Sequence, residues 1–295
     1  MLVSLKKCLY SLLPQHWLSR FAGVVSRCEA GWLRRPVIRW FIQHYGVEMS
    51  LAVEPNPEAY RSFNQFFIRP LKPSVRPICA DARAMASPAD GVISQMGRIH
   101  HGELLQAKGF SYSLLGLLGG DAALSKPFVS GEFMTIYLSP KDYHRVHMPL
   151  AGRLERMVYV PGRLFSVNAF STTNIPNLFA RNERVVCWFS TDFGPMVVVL
   201  VGAMLVASIH TVWQGQIAPK PSGEIVTLPY AERNIQLAKG AELGHFELGS
   251  TVIILFPKDV IRWQADLHNG SKVIVGQEIA IAEQPLNANH RNEFG

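Results

Sequence analysis

Gly244-His245-Phe246-Glu247-Leu248-Gly249-Ser250-Thr251-Val252-Ile253-Ile254-Leu255-Phe256 carries the reading that decides the fold. Its second half, residues 251–256, is short, unbroken, apolar and rich in β-branched side chains, as expected of a strand covered on both faces. Similar runs recur between Gly and Pro residues from Ala86 onward, at 92–96, 132–138, 157–160, 185–189, 196–201, 252–256 and 273–281. Runs of that length and spacing predict a β-rich sandwich or barrel. The first half of the stretch reads as a loop entering the strand, with Gly249-Ser250 at the join. Residues 215–235, with Pro219, Pro221, Gly223 and Pro229, read as a long loop, and 283–295 as a polar, frayed end.

The chain has 295 residues, 48% of them hydrophobic, enough for one large domain with an appendage. Charged residues make up 17%, below the usual quarter, and mean hydropathy is slightly positive, so the chain is not a disordered one and leans toward a membrane. Cys8, Cys28, Cys79 and Cys187 lie far apart with no Cys-x-x-Cys pair. This argues against a zinc knuckle or redox motif and for a reduced, cytosolic setting. No apolar run reaches the roughly 18–20 residues of a spanning helix. Pro14 cuts the first apolar stretch too short for a signal peptide, and no clear cleavage site follows.

Charge is unevenly placed. Residues 1–45 hold Lys6, Lys7, Arg20, Arg27, Arg34, Arg35 and Arg39 against Glu29 alone, which leaves +1 of the net +7 for the rest of the chain. Apolar residues recur there at helical spacing. Leu2, Leu5, Leu9, Leu12 and Leu13 form a first helix. Trp17, Leu18, Phe21, Val24 and Val25 follow in a second opened by Pro14. Val37, Ile38, Phe41 and Tyr45 mark a third opened by Pro36, after an interruption at Gly31. Basic, Trp-bearing amphipathic helices lie in a membrane interface, with Trp17, Trp32 and Trp40 at headgroup level. The plainer alternative is a helical layer packed on the body or a dimer contact. Nucleic acid fits less well, because the basic residues alternate with large apolar ones. Residues 46–85 read as a proline-rich connector with a short helical run over 60–67, and 86–295 as the β-rich domain. The fold class is therefore α+β.

Gly-x-Gly-x-x-Gly, the phosphate-loop Gly-Lys-Ser/Thr and the Gly-x-Ser-x-Gly elbow are all missing, which removes the usual signatures of nucleotide binding and α/β-hydrolase chemistry. Three places remain. Ser87-Pro88-Ala89-Asp90-Gly91 is on its own a turn before a strand. Asp142-Tyr143-His144-Arg145-Val146-His147 holds two histidines that either share a helical face or diverge from a loop. A third metal ligand is not evident from spacing, and both rings would serve equally as structural hydrogen-bonding groups. Gly249-Ser250 alone is a routine turn. Together, an Asp, a His and a Ser can form a triad with His as base and Asp fixing its tautomer. Deprotonated Ser250 Oγ can reach the Gly249 carbonyl through a five-membered ring, converting amide to ester. Gly249, lacking Cβ, tolerates the strained backbone this needs. Elimination and hydrolysis then leave a pyruvoyl group, a ketone that forms a Schiff base with a primary amine and acts as an electron sink, suited to decarboxylating an α-amino acid.

The chain resembles the pyruvoyl-dependent, bacterial membrane-associated phosphatidylserine decarboxylases nearly end to end. Leu248-Gly249-Ser250-Thr251 resembles the family's self-cleavage motif, and Pro88-Ala89-Asp90-Gly91 and Asp142-Tyr143-His144-Arg145-Val146-His147 its other signatures. Three further blocks also match, at 63–71, 160–168 and 178–184, with Gln65 standing where the family pattern has Glu. The resemblance implies Asp90, His147 and Ser250 as the processing triad. It implies a pyruvoyl group made from Ser250, with neither pyridoxal phosphate nor a metal, and a decarboxylation role for His144. It implies cleavage between Gly249 and Ser250 into a beta chain of 1–249 and an alpha chain of 250–295 that stay together. It further implies a homodimer held peripherally on the cytoplasmic side of the cell (inner) membrane. Its substrate would be phosphatidylserine in an anionic surface, and its product phosphatidylethanolamine. Trp17, Arg20, Phe21, Trp32, Arg34, Arg35 and Trp40 are the expected membrane contacts. The alternatives from other classes are a non-enzymatic His phosphocarrier or regulatory domain on a β-sandwich, and a serine hydrolase using the same triad on outside substrates.

Overall fold

A computed structural model describes residues 15–107, 109–204, 208–218, 223–247 and 250–283. The helix expected over 2–13, Leu248 and Gly249, and the tail from 284 lie outside the described residues, as do the side chains of Trp17 and Arg20. The strands in chain order begin with β1 Ala84–Ala86, β2 Gly91–Arg98, β3 Glu103–Ala107, β4 Phe110–Ser113, β5 Glu132–Leu138 and β6 Arg145–His147. Next come β7 Gly152–Val160, β8 Arg184–Thr191, β9 Gly194–Val201, β10 Ser208–Thr211, β11 Gly215–Ala218 and β12 Val226–Pro229. The last are β13 Gln236–Leu237, β14 Glu242–Glu247, β15 Ser250–Phe256, β16 Ile261–Trp263, β17 Lys272–Val273 and β18 Glu278–Ala282. With helices α1 Gln15–Ser26, α2 Gly31–Tyr45 and α3 Phe63–Phe67 ahead of them, the architecture is α+β.

The run that opened the sequence is the inner strand of a nine-stranded antiparallel sheet ordered β12-β7-β8-β9-β15-β5-β2-β17, with β13 also on β7. Each face of β15 is buried in a different core. Val252, Ile254 and Phe256 pack with Ile136, Leu154 and Val198, while Ile253 and Leu255 pack with Phe133, Val158 and Val199. This double covering explains why polar alternation is missing from its sequence. Over the first face lie the sheets β11-β10-β14-β6 and β1-β18-β16, contributing Val146, Phe246, Ile261 and Ile279. Over the second lie the β3–β4 hairpin and short helices, contributing Leu104, Tyr112, Leu117 and Phe179.

Four sequence expectations need correction. The run at 273–281 is two strands, β17 and β18, parted by a turn at Gly276, whose φ of 86° suits a residue without Cβ. The long loop at 215–235 contains β11 and β12. Pro229, which cannot donate to a ladder, ends β12 at the outer edge of the large sheet. The supposed loop before Gly249 is β14, and a register shift between Glu242 and Gly244 breaks its period-2 signal. Finally, α2 starts at Gly31 rather than Pro36. Leu33 and Arg34 already donate to the Ala30 carbonyl at 3.0 Å, so the helix is under way before the proline.

The helical layer positions the site. α2 buries Ile38 and Phe41 against Phe63, Phe66 and Phe67 of α3, which Ser62 caps through the Gln65 N–H at 3.1 Å. α1 turns its small side inward, with Ser19 and Ser26 buried, and leaves Phe21 and Val24 70% and 71% exposed. The large apolar residues therefore face away from the body, the orientation that the interfacial reading expects and a helix packed by its apolar stripe does not. Trp32 and Trp40 are likewise exposed, at 81% and 55%. Among the described residues, no helix is long and apolar enough to cross a membrane.

Candidate active site

Ser250 opens β15, directly across from Leu138, the last residue of β5. The segment leaving β5 turns tightly. Ser139 donates both its N–H and its Oγ–H to Asp142 Oδ2 at 2.7 Å, and Asp142 N returns a 2.9 Å bond to the Ser139 carbonyl. Burial raises the Asp142 pKa against these bonds, and the nearby Asp90 charge adds to the rise. The same Ser139 carbonyl accepts from His144 Nε2 at 3.1 Å. A carbonyl cannot donate, so Nε2 carries the proton and Nδ1 the lone pair. Nδ1 is buried and has no hydrogen-bond partner among the described residues. Phe67 of α3 stacks on the ring at 4.1 Å. Burial, helped by the neighbouring Arg69 charge, takes the His144 pKa down to about 3, so the ring is neutral at physiological pH.

His147 ends β6, and its N–H donates to the Pro88 carbonyl at 2.8 Å, which ties the Asp90 turn to this strand. Its Nδ1 sits 2.8 Å from the Gly240 carbonyl and therefore carries the proton. Nε2 is left as the acceptor for the Tyr143 hydroxyl at 3.3 Å, and the two rings stack. Burial lowers the His147 pKa, with the Gly240 bond opposing it. The basic nitrogen is therefore Nε2, and Tyr143 covers it.

Asp90 is close but is held by other groups. Arg76 Nε reaches both carboxylate oxygens, at 2.9 and 3.0 Å, and Val275 N donates to Oδ1 at 2.8 Å. The guanidinium fork matches a carboxylate well, and the Asp90–His147 hydrogen bond expected of a triad is not made here. Gly240 holds Nδ1 instead, and Asp90 reaches His147 only through its charge. Gly91, next to Asp90, has a structural reason: a Cβ there would lie 2.4 Å from the Tyr137 carbonyl.

Ser250 is fully buried, and its Oγ has no hydrogen-bond partner among the described residues. Leaving a buried hydroxyl unbonded costs about 1–3 kcal/mol, and nothing among the described residues offsets that cost at Ser250. A group made from this residue's own backbone fits the position, because the ladders to β5 and β9 hold residues 250 and 251 without help from that Oγ. On the N-terminal side of Gly249, Glu247 is anchored by Arg27 and by Asn64 Nδ2 at 2.9 Å, with His210 Nε2 3.3 Å away. Burial alone would raise the Glu247 carboxyl. The adjacent His210 ring and the Arg27 guanidinium outweigh it and hold the pKa below the usual range. The end of α1, α3 and β10 thus fix the strand that leads into the proposed cut.

Sequence reasoning found Asp90, His144, His147 and Ser250, and the fold brings them to one end of the central sheet. It missed Arg76, Gly240, Tyr143 as a partner of His147, and Phe67 and Arg69. Phe67 and Arg69 lie within the block at 63–71, and Tyr143 within the histidine motif, so their neighbourhood was visible. Arg76 and Gly240 carried no signal. Among the described residues, no group of three or more His, Cys, Asp or Glu could hold a metal ion.

The family model described as phosphatidylserine decarboxylase matches residues 63–281, and one described as PSD matches 5–46. A phosphatidylserine decarboxylase proenzyme of Pseudomonas entomophila is 56% identical over 276 residues, covering 92% of this chain and 96% of the relative. One of Pseudomonas fluorescens is 56% identical over 272 residues, covering 91% and 95%. One of Pseudomonas putida is 55% identical over 276 residues, covering 92% and 96%.

Proposed function

The chain belongs to the phosphatidylserine decarboxylase family, and from that premise we propose that it cuts itself between Gly249 and Ser250, converts Ser250 to a pyruvoyl group and decarboxylates phosphatidylserine to phosphatidylethanolamine. The observation that carries this is the buried Ser250 Oγ, without a partner among the described residues, at the end of the sheet where two neutral histidines are held. Tyr143 yields His147 Nε2, which takes the Ser250 hydroxyl proton. Oγ forms a bond to the Gly249 carbonyl carbon as the peptide C–N bond breaks, giving an ester. Asp90 lends its charge to the imidazolium so formed, which passes its proton to the departing Ser250 nitrogen. Removal of the Ser250 Cα proton breaks the ester Cβ–O bond and leaves Gly249 with a free carboxylate. Water then enters and ammonia leaves at residue 250.

The pyruvoyl ketone supplies an electrophile for the lipid's primary amine and a sink for the electrons freed as CO2 leaves. His144 holds or returns a proton through Nδ1 near the reacting carbon, and its stack with Phe67 keeps water away. The alpha chain stays attached because it supplies β15, inside the large sheet, and β16, β17 and β18. Losing Val252, Ile253, Ile254, Leu255 and Phe256 to water would cost about 1.5–3 kcal/mol each. Borohydride with phosphatidylserine should inactivate the mature enzyme, and a fluorophosphonate should leave it active. The opposite pattern would make it a serine hydrolase.

Residues 1–45 act as the membrane layer, 46–85 as connector and 86–295 as catalytic body. The protein sits peripherally on the cytoplasmic face of the inner membrane, as a homodimer on an anionic surface. Exposed Phe21, Val24, Trp32 and Trp40 support this reading. Arg34 and Arg35 contribute less than expected, since Arg34 donates to the Tyr60 carbonyl and Arg35 pairs with Glu58 at 2.9 Å. Replacing Phe21, Trp32 and Trp40 together by alanine should weaken flotation with phosphatidylserine vesicles at least about a hundredfold, given about 1.5–3 kcal/mol per fully buried large side chain. Arg35→Ala should change it little. Full retention of the triple variant would show that the body binds the membrane.

A further inference from the structure

Arg69 lies two residues beyond the Phe67 that stacks on His144, yet the steps above do not use it. It is 3% exposed. Nη2 has one 3.2 Å contact, to the Lys141 carbonyl, and Nε and Nη1 are buried with no partner among the described residues. The nearby carboxylates are committed elsewhere, Asp142 to Ser139 and Asp90 to Arg76 and Val275. The face of Phe66 lies 5.3 Å from the guanidinium carbon. A buried cation without a carboxylate is costly, and two fork donors left open beside the reacting end of the sheet describe an anion site.

Resting on the function proposed above, we infer that Arg69 binds the phosphodiester of the lipid headgroup. The substrate offers two anions, and the reaction separates them. A guanidinium on the scissile carboxylate would stabilise the ground state that must lose its charge as CO2, which slows the step. The phosphodiester keeps its charge throughout and is bound equally at every stage. Asn64, five residues before Arg69, bonds Glu247 just before the proposed cut, so the segment that carries Arg69 also holds the strand leading to Ser250.

The test compares mature wild-type enzyme with Arg69→Gln and Arg69→Lys. Intact mass reports the cut. Turnover and the lipid concentration that half-saturates borohydride trapping report binding. Arg69→Gln should be cut normally, with KM and the trapping midpoint both raised about tenfold to a hundredfold and kcat within about threefold, Arg69→Lys falling between. A KM and midpoint that do not move, or a fall in kcat alone, would overturn the inference. Should Arg69→Gln fail to fold, wild-type enzyme decides it: glycerophosphoserine should compete with lipid at least about tenfold better than free serine, which has the amine and carboxylate but no phosphodiester. Equal competition by serine would overturn the inference, as would inorganic phosphate competing as well as glycerophosphoserine. An uncut wild-type chain would instead refute the pyruvoyl reading and is a separate outcome.

Discussion

Ser250→Ala should leave a single uncut chain near 32.9 kDa with no decarboxylation above background. The loss is complete because the hydroxyl is both the nucleophile of the cut and the precursor of the ketone, so no other group in the site inherits either task. The folded state should not suffer. The alanine fits within the space of the serine, and the Oγ it removes is buried without a partner among the described residues. Removing an unsatisfied hydroxyl relieves a desolvation cost of about 1–3 kcal/mol, so thermal stability should hold or rise. Paired measurements by intact mass and thermal unfolding check this. A cut or active variant would end the account, and a clearly destabilised one would mean that the Oγ is hydrogen-bonded in solution.

His147→Ala should slow the cut by about 10²–10⁴-fold, the range for loss of a positioned general base, so that precursor accumulates. His144→Ala should be cut at the normal rate and lose decarboxylation by a similar factor. If both variants failed in the same step, the division between the rings would be wrong. The pH dependence follows from the environment of His147. The base works when neutral, and burial lowers its pKa below the ordinary 6.5, with Tyr143, Arg145, Glu242 and Asp90 as its ionisable neighbours. Cleavage by freshly made precursor should therefore stay level as pH falls through 6.5 and decline only below it. A midpoint at or above 6.5 would contradict a buried, neutral base. The same shift makes folding stability fall as pH drops below about 6.5, since the unfolded chain takes up the proton first.

The fold was legible where one physical cause dominated. Residues 132–138 are a strand with the predicted bounds, because both faces are buried and the single polar residue inside the run, Thr135, is itself β-branched. β14 was hidden by its register shift, and 273–281 read as one strand because Gly276 sits within an otherwise β-like run. At the site, residue types with distinctive chemistry stood out, and four of them converge. Their partners did not, since a carbonyl such as that of Gly240 has no sequence signature and Arg76 looked like any basic residue in a proline-rich connector. The Asp90–His147 contact was an expectation from triad chemistry and the family resemblance, and the geometry gives that contact to Gly240. In α1 the small residues Ser19 and Ser26 face the body and Phe21 faces out, so the apolar stripe read from the helical spacing lies on the side away from the core.

The central claim is that this chain makes its own cofactor from Ser250, and intact mass of the purified protein tests it most directly. The account predicts two chains that co-purify, residues 1–249 ending in a free carboxylate and residues 250–295 lighter by one ammonia than a chain beginning with serine. A single species near 32.9 kDa in a preparation that decarboxylates phosphatidylserine would contradict it.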